Sequence, residues 1–445
     1  MVDFIDNRNW IKVPIKEIYE GLFDGPHATP KPASNGPIFL GIKNITDDGR
    51  LDLSETRHIS EEDFSKWTKR INPRPGDIVF TYEATLNRYA IIPKGFEGCL
   101  GRRLALIRPD PQKIDTRYLF YYFFSEEWRK TISQKIIFGS TVDRIPLISF
   151  PEFEISLPPL PTQRKIAAIL SAYDDLIENN TRRIKILEEM AQALYREWFV
   201  HFRFPGHEKV PMVDSPLGKI PEGWELKRLG DIAQEVRRTI KPSQIDPETP
   251  YFGLEHLPRR SIALSEWDTA KNILSAKLLI KRGEILFGKI RPYFHKVGVA
   301  PLDGICSSDI IVISPQSSEY FSIVLSCVSS KDFVDLAAQT SKGTKMPRAD
   351  WSILANYRIA LPVSKLLIIL NNFINDTVLQ IINIIFQIRN LRTTRDLLLS
   401  RLFSEYNDLE IFLKEGCCTF QVSPLFIIFN LSYYSYLHSK ALEYI

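Results

Sequence analysis

Residues 158–199 read PPLPTQRKIAAILSAYDDLIENNTRRIKILEEMAQALYREWF. Pro158, Pro159 and Pro161 hold the approach extended, because each fixes its own φ and pushes its predecessor out of the helical region. Thr162 is then the expected cap, its side-chain oxygen accepting from an orphan N–H of the first turn. No proline or glycine follows until Pro205. Apolar side chains fall at Ile166, Leu170, Tyr173, Ile177, Ile184, Leu187, Ala191, Leu194 and Trp198, with Asn180 in the one gap. Steps that alternate four and three are the pattern of a coiled-coil seam. A helix of about 40 residues is a rod of roughly 60 Å, and its apolar stripe needs a partner.

The same chain holds that partner. A shift of 204 carries the seam onto Leu370, Ile374, Thr377, Ile381, Ile384, Ile388, Leu391, Arg395, Leu398 and Leu402. The same shift carries Leu157-Pro158 onto Leu361-Pro362, Gly139 onto Gly343 and Phe199 onto Phe403. A constant offset across these landmarks marks a tandem repeat, each unit a globular half followed by a long helix. The boundaries expected are 1–160 for the first half, 161–203 for the first rod and 204–223 for a proline- and glycine-rich connector. The second half then covers 224–362 and the second rod 363–404. Residues 405–445 form a tail that matches nothing upstream. Short strands mixed with helices put each half in the α+β class. The two rods are expected to pair antiparallel, with the halves at opposite ends.

Composition narrows the function classes. With 445 residues, 44% hydrophobic and 25% charged, the chain is an ordinary globular protein rather than a disordered or fibrous one. A net charge of +4 means that any affinity for nucleic acid must come from local clustering. The cysteines are Cys99, Cys306, Cys327, Cys417 and Cys418, an odd set without CxxC spacing. With an N-terminus that lacks a signal-peptide pattern, they point to the reducing cytoplasm. Leu366–Ile388 is apolar enough to suggest a membrane span. Asn372, Asp376, Gln380, Asn383 and Gln387 nevertheless recur along it at helical spacing. Such a stripe belongs to an amphipathic rod in a soluble protein.

An enzyme reading finds no constellation. GxxxxGK[ST], a GxGxxG opening a helix and a methyltransferase-like Asn-Pro-Pro-aromatic tetrad are all absent from the sequence. Glu225-Leu226-Lys227 resembles the end of a nuclease acid-x-lysine motif, but it opens an amphipathic element and reads better as a solvated face. His201, His207 and Glu208 lie in the connector without a third ligand at metal spacing.

What remains is basic residues interleaved with glycines and aromatics. Lys289, Arg291, Tyr293, His295 and Lys296 form one cluster of the second half, and Lys342, Gly343, Thr344, Lys345 and Arg348 another. The first half carries Gly139, Ser140, Thr141 and Arg144 at the equivalent loop, with Arg88, Arg102 and Arg103 elsewhere. Glycine lets a backbone approach closely, and Lys or Arg reaches phosphate oxygens or guanine acceptors. Clusters repeated at equivalent places favour a ligand of approximate twofold character, and duplex DNA is one.

LPPLPTQRKIAAILSAYDDLIENNTRRIKILEEMAQALYREWF closely resembles the central helix of specificity subunits of Type I restriction–modification systems. LFGKIRPY, SKGTKMPRADW and LRTTRDLLLSRL are similar to segments of that family's second half, so the resemblance covers roughly residues 8–403. It implies two tandem target-recognition domains separated by two long helices that form an antiparallel coiled coil. Each domain would read one part of a split double-stranded DNA target. The helix pair would act as a ruler and dock two methyltransferase (modification) subunits, with restriction subunits joining to cut. The resemblance further implies a non-catalytic subunit without a cofactor, S-adenosylmethionine, ATP and Mg²⁺ being held by the partner subunits. After LRTTRDLLLSRL the family's short acidic run is replaced here by SEYNDLEIFLKEGCC and an aromatic tail. The competing reading is a coiled-coil protein-interaction scaffold that does not read DNA; it would lack salt-dependent DNA affinity.

Overall fold

In the computed structural model, which describes residues 10–139, 142–343, 345–362 and 364–403, the proline run gives way to a helix over Leu160–Tyr195. Thr162 is not its cap. The Pro159 carbonyl accepts from the N–H groups of Thr162 (2.9 Å) and Gln163 (3.1 Å), so Thr162 already lies inside the first turn. Pro161 is tolerated there because a first-turn N–H has no intrahelical acceptor. The buried Gln163 side chain donates to the Pro158 carbonyl at 2.8 Å and accepts from the Asp115 N–H at 2.8 Å, which anchors the start of the rod to the globular half. A second helix spans Ser364–Leu402. The expected tail at 405–445 lies outside the described residues.

The described residues divide into two compact units, and the division falls within both long helices. One unit takes the residues up to Asp175 together with those from Arg392 onward; the other is Leu176–Leu391.

In the first unit, Ile11–Pro14 pairs antiparallel with Glu154–Leu157, closing the half on itself. A four-stranded antiparallel sheet follows the order Tyr19–Asp24, Leu104–Pro109, Ile78–Thr81, Tyr89–Ile91. A three-stranded sheet sets Ala33–Leu40 between Arg57–His58 and Gly98–Leu100, the last in parallel. The aromatic-rich stretch after this sheet forms two helices, Thr116–Tyr122 and Glu126–Lys135. Ser125 separates them by accepting from the Trp128 N–H, a cap that competes with a continuous helix. Trp128 anchors the core, donating its indole N–H to the Tyr89 hydroxyl at 2.9 Å between Phe123 and Phe150. Phe403, beyond the second long helix, packs its ring 5.4 Å from Tyr118 and 5.7 Å from Tyr122.

The second unit repeats this plan in order. Glu225–Arg228 pairs with Arg358–Leu361, and the four-stranded sheet runs Ala233–Glu235, Ile310–Pro315, Ile285–Gly288, Val297–Val299. Pro250–Phe252 lies parallel to Gly304–Cys306, and Lys277–Ile280 with Thr239–Ile240 extends that sheet to five strands. Its helical pair, Phe321–Val328 and Lys331–Gln339, is again split by a serine cap, Ser330. Details recur as well. A Cβ on Gly98 would lie 2.4 Å from the Ile38 carbonyl oxygen, and one on Gly304 2.5 Å from that of Pro250. Both parallel pairings therefore demand glycine. Buried Asp77 and Glu284 each follow a left-handed glycine, Gly76 or Gly283. Each accepts from the backbone N–H three residues earlier, Arg74 at 2.7 Å or Lys281 at 2.8 Å. Each also takes an arginine, Arg108 for Asp77 and Arg238 for Glu284.

The connector is more ordered than its composition suggests. Met212–Ser215 and Gly218–Pro221 form a hairpin turned at left-handed Gly218. Phe204, Ile220 and Trp224 then join Trp198 and Phe199 in the core of the second unit.

The seam positions do three jobs. Ile166 and Leu170 are built into the core of the first unit, with Leu398 against it and Leu402 in it. Leu370 and Ile374 belong to the main core of the second unit, and Leu194 packs on it. Ile177, Ile184 and Leu187 form a separate cluster with Ile381, Ile384 and Ile388, flanked by Leu391. Tyr173 is half-buried, and buried Asn180 accepts from Arg183 at 3.1 Å. The second helix is long and apolar enough to cross a membrane by length and composition. Part of its apolar surface is covered: Leu366, Leu367, Val378 and Ile382 are buried in the same unit's core.

Candidate nucleic-acid interface

In the second unit three loops distant in sequence are stitched together by backbone pairing. The strand Ile285–Gly288 runs into the loop 289–296, where Arg291 and His295 both take left-handed φ, +50° and +52°. Ile290 and Lys342 each bridge to Arg348, and Arg259 bridges to Lys296. The Arg291 N–H donates to the Pro347 carbonyl and the Arg260 N–H to the His295 carbonyl, both at 2.8 Å. Lys289, Arg291, Lys342, Lys345 and Arg348 are thereby gathered on one surface.

Their side chains are engaged to different degrees. Arg348 faces Asp309 at 3.4 Å, and Arg291 reaches the Lys345 carbonyl at 3.4 Å. Tyr293 is 54% exposed, its ring edge-on to Phe294. Lys296 is turned inward, donating to the Leu254 carbonyl at 2.6 Å. Burial, and then the nearby Arg259 charge, hold its ammonium below the ordinary lysine range. Burial likewise lowers His295, whose Nε2–H donates to the Ser329 carbonyl at 2.9 Å, so this imidazole is a neutral brace. Thr344 lies outside the described residues, as do Ser140 and Thr141 of the first unit.

The first unit brings its loops together in the same manner. Glu83 and Ile137 each bridge to Arg144, the counterparts of Ile290 and Lys342 on Arg348. Ile145 donates its N–H to the Tyr82 carbonyl at 2.8 Å, and the Tyr82 hydroxyl donates to the Arg102 carbonyl at 2.9 Å. Burial pushes that phenol up to about 12. Arg102 and Arg144 are exposed. Arg103 lies 3.8 Å from Glu83 with its Nε lacking a hydrogen bond. Arg88 is a loop brace: it donates to the Ile45 carbonyl at 3.1 Å and faces Asp47 at 3.5 Å.

Sequence reasoning missed Arg259 and Arg260, both exposed beside this surface in the second unit. Adjacent arginines after Pro258 were the only signal, and nothing local in the sequence places them next to the loop 289–296.

The other chemistries considered do not assemble. No group of three or more His, Cys, Asp or Glu fit to hold a metal occurs among the described residues. Glu225 and Lys227 pair with each other at 3.0 Å along an edge strand. Cys99, Cys306 and Cys327 are buried free thiols, and burial pushes the first two up to about 12.

Residues 7–189 match the Type I restriction modification DNA specificity domain. The chain is 28% identical over 405 residues to the Type I restriction enzyme MjaIX specificity subunit of Methanocaldococcus jannaschii, covering 87% of each. To the Type I restriction enzyme EcoDI specificity subunit of Escherichia coli it is 24% identical over 274 residues, 57% of this chain and 60% of that one. The crystal structure of the Type I restriction-modification system S subunit from M. genitalium superposes with a TM-score of 0.54 at 15% identity, covering 91% of this chain and 99% of that chain, a likeness of fold. With a match to that specificity domain over residues 7–189 and a similar specificity subunit along 87% of its length, the chain resembles the specificity subunits of Type I restriction–modification systems.

Proposed function

We propose that the chain is a non-catalytic reader of a split DNA target. Each unit reads one half-site through its stitched loops, and the two long helices set the distance between half-sites. The observation that carries this reading is the recurrence of one loop architecture with basic residues at both copies. Arg144 ties its loop to Glu83 and Ile137 as Arg348 ties its own to Ile290 and Lys342. A duplicated reader matches a ligand whose backbone repeats along its length while its base edges differ. Exposed Arg102, Arg144, Lys342, Lys345 and Arg348 are the residues proposed to touch DNA, with Lys289, Arg291 and Tyr293 beside them. Arg88, Arg103 and Lys296, tied to protein partners, shape the loops.

The rods supply the ruler. Helices of 36 and 39 residues are ~54 and ~58 Å long, which against ~3.4 Å per base pair spans on the order of 15–18 base pairs. In the first unit Asp174 of the earlier helix bonds Arg395 of the later one at 2.7 Å. In the second unit Ala191 and Gln192 line a small cavity with Ile374 and Val378. Both sets of neighbours support an antiparallel pair. The outer faces of that pair would dock two modification subunits, with restriction subunits completing the complex. Those partners would carry S-adenosylmethionine, ATP and Mg²⁺.

Methylation profiling of cells with and without this chain tests the reading. A methylated motif of two short half-sites around an unread spacer is expected only when the chain is present. A continuous motif, or none, removes the proposal.

A further inference from the structure

The segment 259–267 of the second unit belongs to the reading surface at one end and to the rods at the other. In its middle Glu188, buried on the first long helix, accepts from the Ser261 hydroxyl (2.6 Å), the Ile262 N–H (2.7 Å) and the Ala263 N–H (3.2 Å). The second helix holds the same segment. The Arg389 guanidinium sits 3.6 Å over the Trp267 ring and donates to the Ser265 carbonyl at 3.3 Å, while Phe386 packs edge-on to Trp267. At its near end the guanidinium of Arg259 lies 4.2 Å over the Phe294 ring, and Arg260, at φ +56°, bonds back to His295.

Arg259 differs from three of its basic neighbours. Arg348 has Asp309, Arg291 has a carbonyl, and Lys296 is tied to the Leu254 carbonyl. Arg259 is exposed, and among the described residues no carboxylate forms an ion pair with it. An aromatic face backs its guanidinium, and its N–H groups remain for an acceptor pair. Reading a base edge needs a rigid bidentate donor held to a fraction of an ångström, and guanine O6 and N7 match that fork. A phosphate contact would need neither the ring nor the anchored segment.

Building on the DNA-reading role proposed above, we infer that Arg259 is a specificity-determining residue of the second half-site, reading a guanine. Glu188 is its positioning residue: it fixes the segment that carries Arg259 and itself stays away from DNA.

The test is selection of bound sequences from a random duplex pool by the full chain assembled with its modification subunits. Four variants are compared with the native chain: R259A, R259K, E188A and E188Q. R259A is expected to relax one guanine position of one half-site, discrimination there falling about tenfold to hundredfold, with all other positions kept. R259K, which lacks the fork, should relax the same position. E188A should relax that position too, and E188Q, which keeps the acceptor, should restore it; a merely structural role would weaken all positions together. Thermal melting of R259A, an exposed substitution, should match the native chain. Unchanged stringency at every position in R259A overturns the inference. So does uniform weakening with a salt slope reduced by about one, the mark of a phosphate contact. A native complex that selects no split sequence removes the DNA-reading role itself and this inference with it.

Discussion

Glu188 is one of two adjacent acids, Glu188 and Glu189, on a helix rich in charge, and only the first is buried. Burial raises its carboxyl above the ordinary glutamate range, and the three donors from residues 261–263 offset this only in part. The folded protein therefore holds that proton more tightly than the unfolded chain does. Its contribution to stability is fully present below the usual glutamate range and is lost as pH rises through the raised value. Gln keeps the acceptor without the charge, so E188Q is expected to melt at or above the native chain at pH 7 and to lose this pH dependence. E188A leaves buried donors unpaired and should cost about 1–3 kcal/mol. Urea unfolding at pH 4 and pH 7 distinguishes the three proteins. At Asp77, which Arg108 grips at 2.8–2.9 Å through two N–H groups, D77A strands a part-buried guanidinium. It should destabilise the first unit by about 3–5 kcal/mol. None of this was legible in the sequence. Glu188 reads as a solvated face until a segment some 73 residues later covers it, and Asp77 reads only as a turn residue.

At the scale of elements, the long helices were legible because their signal is long, periodic and free of breakers. The 4–3 spacing located the apolar face of both rods, but it could not tell a rod-on-rod contact from a rod built into a globular core. Ile177, Ile184, Leu187, Ile381, Ile384 and Ile388 make the former, whereas Ile166, Leu170, Leu370 and Ile374 make the latter. The second rod serves both kinds of contact, which is why Val378, Ile382 and Ile385 are buried outside the expected seam. L187A and I388A are each expected to cost about 2–5 kcal/mol, and the charged variants L187E and I388E more. Chemical unfolding measures the cost, and size-exclusion of the assembled complex shows whether the charged variants release the proposed methylating partner. The breaks at Ser125 and Ser330 are hard to see in the sequence, because a serine inside an apolar run looks like a helical residue until its hydroxyl is seen to cap the next turn.

At the scale of the whole molecule, the constant offset of 204 made the duplication visible, and the fold repeats it strand for strand up to the added pair in the second unit. The loops proposed to read DNA were legible only as clusters of type. Their assembly depends on bridges between Arg348 and Ile290, or Arg144 and Glu83, that span some 60 residues and leave no local periodicity. The proposed reader has one central requirement: two half-sites recognised independently and a spacing set by the rods. The direct measurement is the methylated motif of a variant in which four residues are removed from each rod at facing positions. That deletion shortens the pair by ~6 Å, or about two base pairs. The expected result is a motif with both half-sites unchanged and a spacer shorter by about two base pairs. A variant that methylates DNA with altered half-sites, or with the original spacer, would contradict the ruler.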